Sequence, residues 1–217
     1  MNTTTSKNMR TRALTESAIL IAMATILSLI KLYELPWGGS VTLASMLPLV
    51  IIGYRHGVKW GLMASLVYSI LQMLLGLGTI SAAFLPGDDQ MLWYKAVLMM
   101  ILDYVLAFSL VGLSGLFRRH DTPSRSLVLG SLVGTSARFL MHFASGWILW
   151  GAWASSFFEQ FDETIGGAWG AFMVNTFSGQ ALAAVYSLIY NAFYMLPEML
   201  ITMILSYFIG KLPHLSK

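Results

Sequence analysis

The sequence predicts an all-α integral membrane protein with six transmembrane helices and both termini in the cytoplasm. Three observations carry this prediction: the composition, the long apolar segments and the placement of the basic residues. Of 217 residues, 57% are hydrophobic and 11% are charged, and the mean hydropathy is +0.70. Soluble domains carry roughly 25% charged residues. We therefore expect one membrane domain, 1–217, in the cell membrane of a prokaryote, crossing the lipid bilayer several times.

Six apolar segments are separated by short polar stretches. They lie at 14–33, 41–54, 58–77, 94–116, 126–150 and 181–209. A helix needs about 20 residues to span a bilayer, so the second segment is short or irregular. Pro36 and the pair Gly38–Gly39 interrupt the chain just before it. The run 168–209 is too long for one span, and we predict that 168–179 is a separate interfacial piece on the outer side.

Basic residues occur at every second connection between these segments. They are Lys7, Arg10, Arg12, Arg55, Lys59, Arg118, Arg119, Arg125, Lys211 and Lys217. The opposite connections are acidic, with Glu34, Asp88, Asp89, Glu159, Asp162 and Glu163. Because basic loops stay in the cytoplasm, both termini are predicted inside. Residues 1–12 are then a cytoplasmic tail, and 78–93 and 151–180 are outer loops.

Several function classes find no support in the sequence. There is no cysteine, which excludes disulfides and thiolate metal sites. The phosphate-binding loop G-x-x-x-x-G-K-[ST] is absent, so the chain is not expected to hydrolyse ATP itself. Common hydrolase and metalloprotease motifs are also absent. The basic residues lie where membrane topology requires them, so we predict no nucleic-acid partner. From the missing motifs we predict no cofactor, no metal and no enzymatic activity.

The most informative stretch is 136–150, in the fifth segment. It carries Arg138 and His142 within an apolar run. A cation in a membrane helix is costly and usually faces a cavity or a partner. At helical spacing, Arg138, His142, Gly146 and Trp150 lie on one side. We interpret this side as the wall of a ligand site. A helix–helix contact with a buried arginine and a hydrogen-bonded histidine is an equal alternative for Arg138 or His142 alone.

Asp103, followed by Tyr104, is an acid within the fourth apolar segment. Such a group is a candidate functional residue, and it is costly unless paired or hydrated. Either Arg138 or a cationic ligand could pair with it. Asp103 lies about nine residues, or about 13 Å, from the outer end of its helix. His142 and Trp150 approach a similar depth from the fifth segment.

The last segment carries Tyr186, Tyr190 and Tyr194 on one face. Tyrosines in such a pattern more often pack than bind. Asn191 is the stronger signal, because its amide needs hydrogen-bond partners in an apolar environment. Pro197 is expected to kink the helix.

Tryptophans and small residues leave further alternatives open. Trp37, beside Gly38–Gly39, either covers a ligand or anchors the chain at the membrane interface, and for Trp153 and Trp169 we favour interface anchoring. Ala18 and Ala22 lie four residues apart on the first helix, and such a pair allows close helix contact. It predicts either docking of another membrane subunit or, more often on spacing alone, packing within the chain.

Five stretches together carry a family resemblance. They are P-W-G-G-S-V-T-L, L-P-L-V-I-I-G-Y-R-H-G-V-K-W-G-L, L-D-Y-V-L-A-F-S-L-V-G-L-S-G-L-F, R-F-L-M-H-F-A-S-G-W-I-L-W-G and Y-S-L-I-Y-N-A-F-Y-M. In this order they resemble the thiamine-specific substrate-binding subunits of energy-coupling-factor vitamin transporters, over nearly the whole chain. The outer loops look longer than in such relatives, and a tyrosine that some relatives carry before the fourth helix has only Thr79 or Tyr94 as its counterpart.

The resemblance implies a thiamine-binding subunit without an energy source of its own. Its partners would be a transmembrane coupling subunit, docked on Ala18 and Ala22, and two cytoplasmic ATPase subunits. The site would open outward and be closed by the loop after the first helix. Carried over by motif, the substrate-binding residues are Trp37, Asp103, Tyr104, His142, Trp150, Tyr186 and Asn191.

These residue types suit thiamine, which has a permanently charged thiazolium and a flat aminopyrimidine. Trp150 and His142 would stack on a ring, with cation–π contacts of about 0.5–2 kcal/mol each. Asp103 would supply the counter-charge, while Asn191 and Tyr186 would read the aminopyrimidine edge. The alternative is a stand-alone secondary transporter for thiamine, a precursor or another small cationic metabolite, with Asp103 as its proton site. The sequence shows no clear internal repeat and no obvious pair of broken helices, which disfavours a secondary transporter.

Overall fold

The computed structural model describes residues 3–35, 38–88, 90–118 and 122–213. Ten α-helices and one β-hairpin account for most of these residues. The helices are α1 (Thr3–Leu29), α2 (Leu47–His56), α3 (Val58–Leu75), α4 (Leu77–Phe84), α5 (Trp93–Met99), α6 (Ala107–Ser109), α7 (Pro123–Leu149), α8 (Ala154–Ile165), α9 (Trp169–Thr176) and α10 (Gly179–Ile209); the strands are β1 (Lys31–Glu34) and β2 (Ser40–Thr42).

Five helical stretches in the described part of the chain are long and apolar enough to cross a membrane. They are Met9–Leu29, Val58–Leu75, Trp93–Phe117, Pro123–Leu149 and Gly179–Ile209. The span predicted at 41–54 is instead β2 followed by α2, a helix of ten residues. Ten residues rise about 15 Å, half of the apolar thickness of a bilayer. The predicted count of six spans is therefore not confirmed, and the orientation of the termini stays a prediction.

The described structure is helical, as predicted, apart from the segment after α1, which folds back as a short antiparallel hairpin. Lys31 pairs with Thr42 and Glu34 pairs with Ser40, with an irregularity between Lys31 and Tyr33. Four residues of β1 are exposed, whereas Val41 of β2 is buried. The two strands are too short to show the period-2 pattern from which strands are predicted. We refer to residues 31–42 as the hairpin.

The span Trp93–Phe117 is not a continuous α-helix. A π-helical segment, Met100–Leu106, follows α5, and a 3₁₀ segment, Leu110–Phe117, follows α6. π-Helical turns are rare and frequently lie at functional sites. Asp103 and Tyr104 are the middle residues of this one.

Two apolar clusters hold the helices together. One joins α2, α3 and the following span through Leu49, Tyr68 and Val111, all fully buried. The other lies where α8 packs on α10, with Phe158 and Tyr186 among its members. The second cluster places a layer of aromatic rings beside the tyrosine face of α10.

Both predicted outer loops contain helices. The loop 78–93 contains most of α4, and the loop 151–180 contains a short 3₁₀ turn, Gly151–Trp153, and then α8 and α9. The Asp162 carboxylate accepts hydrogen bonds from the backbone N–H groups of Gly170 and Ala171, at 2.6 and 2.8 Å, and so caps the start of α9. The separate piece predicted at 168–179 is confirmed as α9, which ends before α10 begins at Gly179.

Candidate functional site

A cavity of about 610 Å³ lies between the hairpin, α3, the Trp93–Phe117 span, α7 and α10. Six of the seven predicted binding residues line it: Asp103, Tyr104, His142, Trp150, Tyr186 and Asn191. These residues come from three stretches far apart in the sequence. The structure therefore brings them together, and their role in binding a ligand is taken up below.

The seventh, Trp37, lies outside the described residues, but the two glycines after it are described. The Tyr190 hydroxyl donates to the Gly38 carbonyl oxygen at 2.6 Å. Gly39 has a φ of +74°, and a Cβ there would lie 2.8 Å from the Tyr194 ring. Only glycine fits this close approach. Gly38 and Gly39, which we call the tip of the hairpin, therefore lie against the tyrosine face of α10 and line the cavity.

The Asp103 carboxylate is held by three donors. Oδ1 accepts from His142 Nδ1 at 3.0 Å, and Oδ2 accepts from the Ser145 hydroxyl at 2.6 Å and from Trp150 Nε1 at 3.4 Å. An ionised carboxylate is an acceptor only, and all three neighbours are donors. No lysine or arginine in the described part of the chain forms a salt bridge with it. The arrangement suits an ionised carboxylate that can still interact with a cationic ligand.

Arg138 contacts His142 rather than Asp103. Its Nε donates to His142 Nε2 at 3.3 Å, and its guanidinium carbon lies 4.4 Å from the centre of the Phe108 ring. Both side chains are buried, at 8% and 9% exposure. The buried contact between helices is therefore observed, while the interpretation of this face as the wall of a ligand site stays a prediction. The arginine is buried and the histidine is hydrogen-bonded, and both line the cavity.

Asn191 spends most of its hydrogen-bonding capacity inside the protein. Its amide nitrogen donates to the Ser187 carbonyl at 2.8 Å and to the His142 carbonyl at 3.3 Å, and its Oδ1 accepts from the Tyr194 hydroxyl at 2.6 Å. An amide oxygen has two lone pairs, so one acceptor position remains. That position can accept from an exocyclic amino group.

The tyrosines do not share one role. Tyr186 lines the cavity at 4% exposure, and its hydroxyl makes no hydrogen bond to another described residue. Tyr104 packs against Gly76, where a Cβ would lie 2.3 Å from its hydroxyl oxygen. Thr79, one of the two candidate counterparts, also lines the cavity, whereas Tyr94 is 51% exposed.

At Gly146, on the helix face interpreted as the wall of the site, α7 lies close to α10. A Cβ there would lie 2.3 Å from the Ser187 hydroxyl oxygen. That hydroxyl donates to the Phe143 carbonyl at 2.7 Å. The glycine lines the cavity, and it also lets Ser187 and Asn191 reach the backbone of α7.

Two residues that contact charged side chains of the cavity wall carry no distinctive signal in the sequence. Ser145 and Phe108 resemble the small and apolar residues around them, and their contacts with Asp103 and Arg138 depend on three-dimensional proximity. Trp153 lines the cavity, a position that interface anchoring does not predict, while Trp169 packs on Phe158 and Phe161. The positions of Trp153 and Trp169 in the sequence could not show which of them lines the cavity.

On the first helix, Ala18 and Ala22 are both exposed, whereas Ala24 is fully buried. The alternative that this pair packs against the chain's own helices is therefore not observed. The exposed face leaves the pair accessible to another membrane protein.

Residues 14–160, more than half of the chain, match the family described as thiamine transporter protein (Thia_YuaJ). The chain belongs to the thiamine transporter family. This membership confirms the resemblance drawn from the sequence motifs. Among the described residues, no group of three or more histidine, aspartate or glutamate side chains could hold a metal ion.

Individual relatives agree with the family match. The chain is 28% identical over 200 residues to the thiamine transporter ThiT of Bacillus subtilis, covering 87% of this chain and 84% of the relative. It is 29% identical over 156 residues to ThiT of Lacticaseibacillus paracasei, covering 64% and 68%. The solved structure of ThiT from Listeria monocytogenes superposes with a TM-score of 0.66 over 93% of this chain and 94% of that one, at 24% identity. The family fold therefore extends over nearly the whole chain.

Proposed function

We propose that this protein binds thiamine in the cavity and takes it up as the substrate-binding subunit of an energy-coupling-factor transporter. The observation that carries the proposal is Asp103, a carboxylate on the cavity wall that is held by three donors and that forms no salt bridge with a described lysine or arginine. A fixed positive charge on the ligand is the partner that this carboxylate lacks. Family membership supports thiamine as the source of that charge.

The remaining cavity groups take complementary parts in this proposal. Trp150 and His142 flank Asp103 and offer flat faces to the thiazolium or the aminopyrimidine. The free acceptor position on Asn191 suits the amino group of the aminopyrimidine, and the Tyr186 hydroxyl suits a ring nitrogen. The family resemblance assigns Tyr104 and Trp37 to the same site. A pocket that pairs with both the positive charge and the hydrogen-bonding edge of the ligand rejects analogues that lack either one.

The decisive experiment replaces the charge of Asp103. We expect Asp103→Asn to weaken thiamine binding more than tenfold, about 1.4 kcal/mol or more, because the side chain keeps its shape and loses its charge. Isothermal titration calorimetry on the purified protein measures the change. Glu159→Gln, on the exposed face of α8, is the matched control and should bind as the wild type does. An unchanged Kd for Asp103→Asn contradicts the proposal.

The ligand itself can be identified without any variant. Mass spectrometry of the small molecule that co-purifies with the protein should find thiamine. A pyrimidine precursor or a thiamine phosphate would keep the site assignment and change the substrate.

The energy source belongs to partner subunits in this proposal. The chain has no phosphate-binding loop, and the exposed pair Ala18 and Ala22 allows a helix of a coupling subunit to approach closely. We expect the double variant Ala18→Leu and Ala22→Leu to lose co-purification with the coupling subunit and two ATPases while still binding thiamine. Ala181→Leu, an exposed alanine on α10, is the matched control.

The stand-alone alternative makes the opposite prediction. Proteoliposomes that contain only this chain would accumulate thiamine when a proton gradient is applied. The proposed function predicts binding without accumulation there, and ATP-dependent accumulation once the partner subunits are added.

A further inference from the structure

Three ionisable side chains form a hydrogen-bonded chain along one wall of the cavity. Arg138 Nε donates to His142 Nε2 at 3.3 Å, and His142 Nδ1 lies 3.0 Å from Asp103 Oδ1. An arginine side chain has no acceptor and keeps its proton in proteins. The His142 Nε2 atom must therefore present a lone pair. The ring proton then resides on Nδ1 and is donated to Asp103.

We propose that Arg138 is a positioning residue that holds His142 as the neutral Nδ1–H tautomer, which keeps the charge of Asp103 available for a cationic ligand. The proposal deepens the proposed function and rests on it for the identity of that ligand. Its first test below does not use the ligand.

Protonation of His142 would create an unfavourable contact with Arg138 and would also change the contact with Asp103. A new Nε2–H would face the Arg138 Nε–H across 3.3 Å, so that two donors and two positive charges would meet in a buried site. It would also convert the Asp103 contact into an ion pair within the protein. The carboxylate would then already be neutralised before a cationic ligand arrived.

The surroundings of the His142 ring contain few other charges. Asp103 faces it from the π-helical segment, Arg138 lies one turn away on α7, and Tyr194 of α10 packs at 5.9 Å between ring centroids. The Phe108 ring packs edge-on at 6.2 Å. Other ionisable side chains that line the same cavity are Lys31, Glu34, Tyr68, Tyr104, Tyr186 and Tyr190. Among the described residues, only Asp103 and Arg138 form hydrogen bonds with the ring nitrogens.

Phe108 explains why the guanidinium holds this position. The guanidinium carbon lies 4.4 Å from the centre of the Phe108 ring, a cation–π distance. The side chain is therefore held between an aromatic ring and an imidazole, without any described carboxylate as its salt-bridge partner. A buried arginine in that position acts on His142 at close range.

The first test observes the tautomer directly by nitrogen NMR on histidine-labelled protein. His142→Gln identifies the His142 signals by their loss. We expect a protonated Nδ1 and an unprotonated Nε2 that persist from pH 8 down to pH 5.5, although histidines ordinarily titrate in this range. An imidazolium signal for His142 near pH 6 overturns the proposal. Because thiamine is absent, this result is independent of the proposed function.

The second test separates positioning from simple support of the fold. We expect wild-type Kd values for thiamine at pH 8 and pH 5.5 to agree within about twofold. In Arg138→Met the ring can gain a proton, so binding should weaken about tenfold from pH 8 to pH 5.5. Arg138→Lys, which keeps a cationic donor, should restore the flat profile. Arg55→Met, a substitution outside the cavity, is the matched control.

A uniform loss of affinity in Arg138→Met at both pH values would show a structural role and overturn the proposal. A flat profile with wild-type affinity would overturn it as well. Should Arg138→Met fail to fold, Arg138→Gln and the NMR measurement on the wild type give the same decision.

Discussion

On one side of the cavity, formed by α7, α10 and the π-helical segment, polar side chains bond to one another and to neighbouring backbone. Asp103, His142 and Asn191 all have partners within this network. On the other side, the hairpin forms hydrogen bonds with α10 at two places, and these two attachments differ in strength. The polar network on the first side is formed without a ligand. The hairpin, on the second side, is attached to the first side through its contacts with α10.

The two attachments of the hairpin differ in kind. At its base, the Glu198 carboxylate accepts from Thr42 N at 2.6 Å, from the Thr42 hydroxyl at 2.7 Å and from the Ser45 hydroxyl at 3.2 Å, with only 1% exposure. At its tip, the contacts among the described residues include the Tyr190–Gly38 hydrogen bond and the packing of Gly39 on Tyr194. Hydrogen bonds to a charged group are worth about 1.5–3 kcal/mol and neutral ones about 1 kcal/mol. Among the described residues, the hydrogen bonds at the base are therefore expected to be stronger than the one at the tip.

The largest effect is expected at the base. Glu198→Ala leaves the Thr42 N–H and two hydroxyls without their acceptor, and should lower the free energy of unfolding by about 2–4 kcal/mol. For a chain of this size that corresponds to about 5–10 °C in Tm. Tryptophan fluorescence during heating in detergent measures it. Glu163→Ala, on the exposed face of α8, should leave Tm unchanged. A loss below 2 °C in Glu198→Ala would mean that the base is no stronger than the tip.

An intermediate effect is expected where α7 meets α10. Gly146→Ala places a Cβ 2.3 Å from the Ser187 hydroxyl oxygen and 3.0 Å from its Cβ, so the helices must separate slightly. Overpacking of this kind costs about 1–3 kcal/mol, or roughly 3–8 °C in Tm. Adding Ser187→Ala should recover part of the loss. Gly78→Ala on α4, where a Cβ meets no atom within 4 Å, is the control. Equal melting temperatures for the two alanine variants would contradict the close contact.

The smallest effect is expected at the tip, and it concerns kinetics. Tyr190→Phe removes the hydrogen bond to the Gly38 carbonyl, worth about 1 kcal/mol, and should speed thiamine dissociation about fivefold with little change in Tm. Stopped-flow fluorescence measures the rate. Tyr207→Phe, on the exposed face of α10, serves as the comparison. A fall in Tm as large as that of Glu198→Ala would remove the distinction between tip and base.

The residues on the preformed side were predictable because each is polar within an apolar span. Asp103, His142 and Asn191 stand out by cost alone, and helical spacing places Trp150 with His142. The apolar segments likewise predict where most of the helices lie. These inferences need only neighbours in the sequence.

The other side could not be predicted in the same way. Glu198 meets Thr42 across 156 positions, and no local pattern links them. The hairpin strands are four and three residues long, too short to stand out in the sequence. The direction of Arg138, toward His142 rather than Asp103, depends on side-chain packing against Phe108.

The π-helical segment Met100–Leu106 has a consequence for the whole span. In an unbroken α-helix, Ala96 and Phe108 are twelve residues apart and would point about 120° away from each other. Both are buried, at 0% and 7% exposure. Because of the wider turn, the two halves of this span can pack different faces against the neighbouring helices. Losing one residue there would restore regular winding and force one half to turn a packed surface toward lipid.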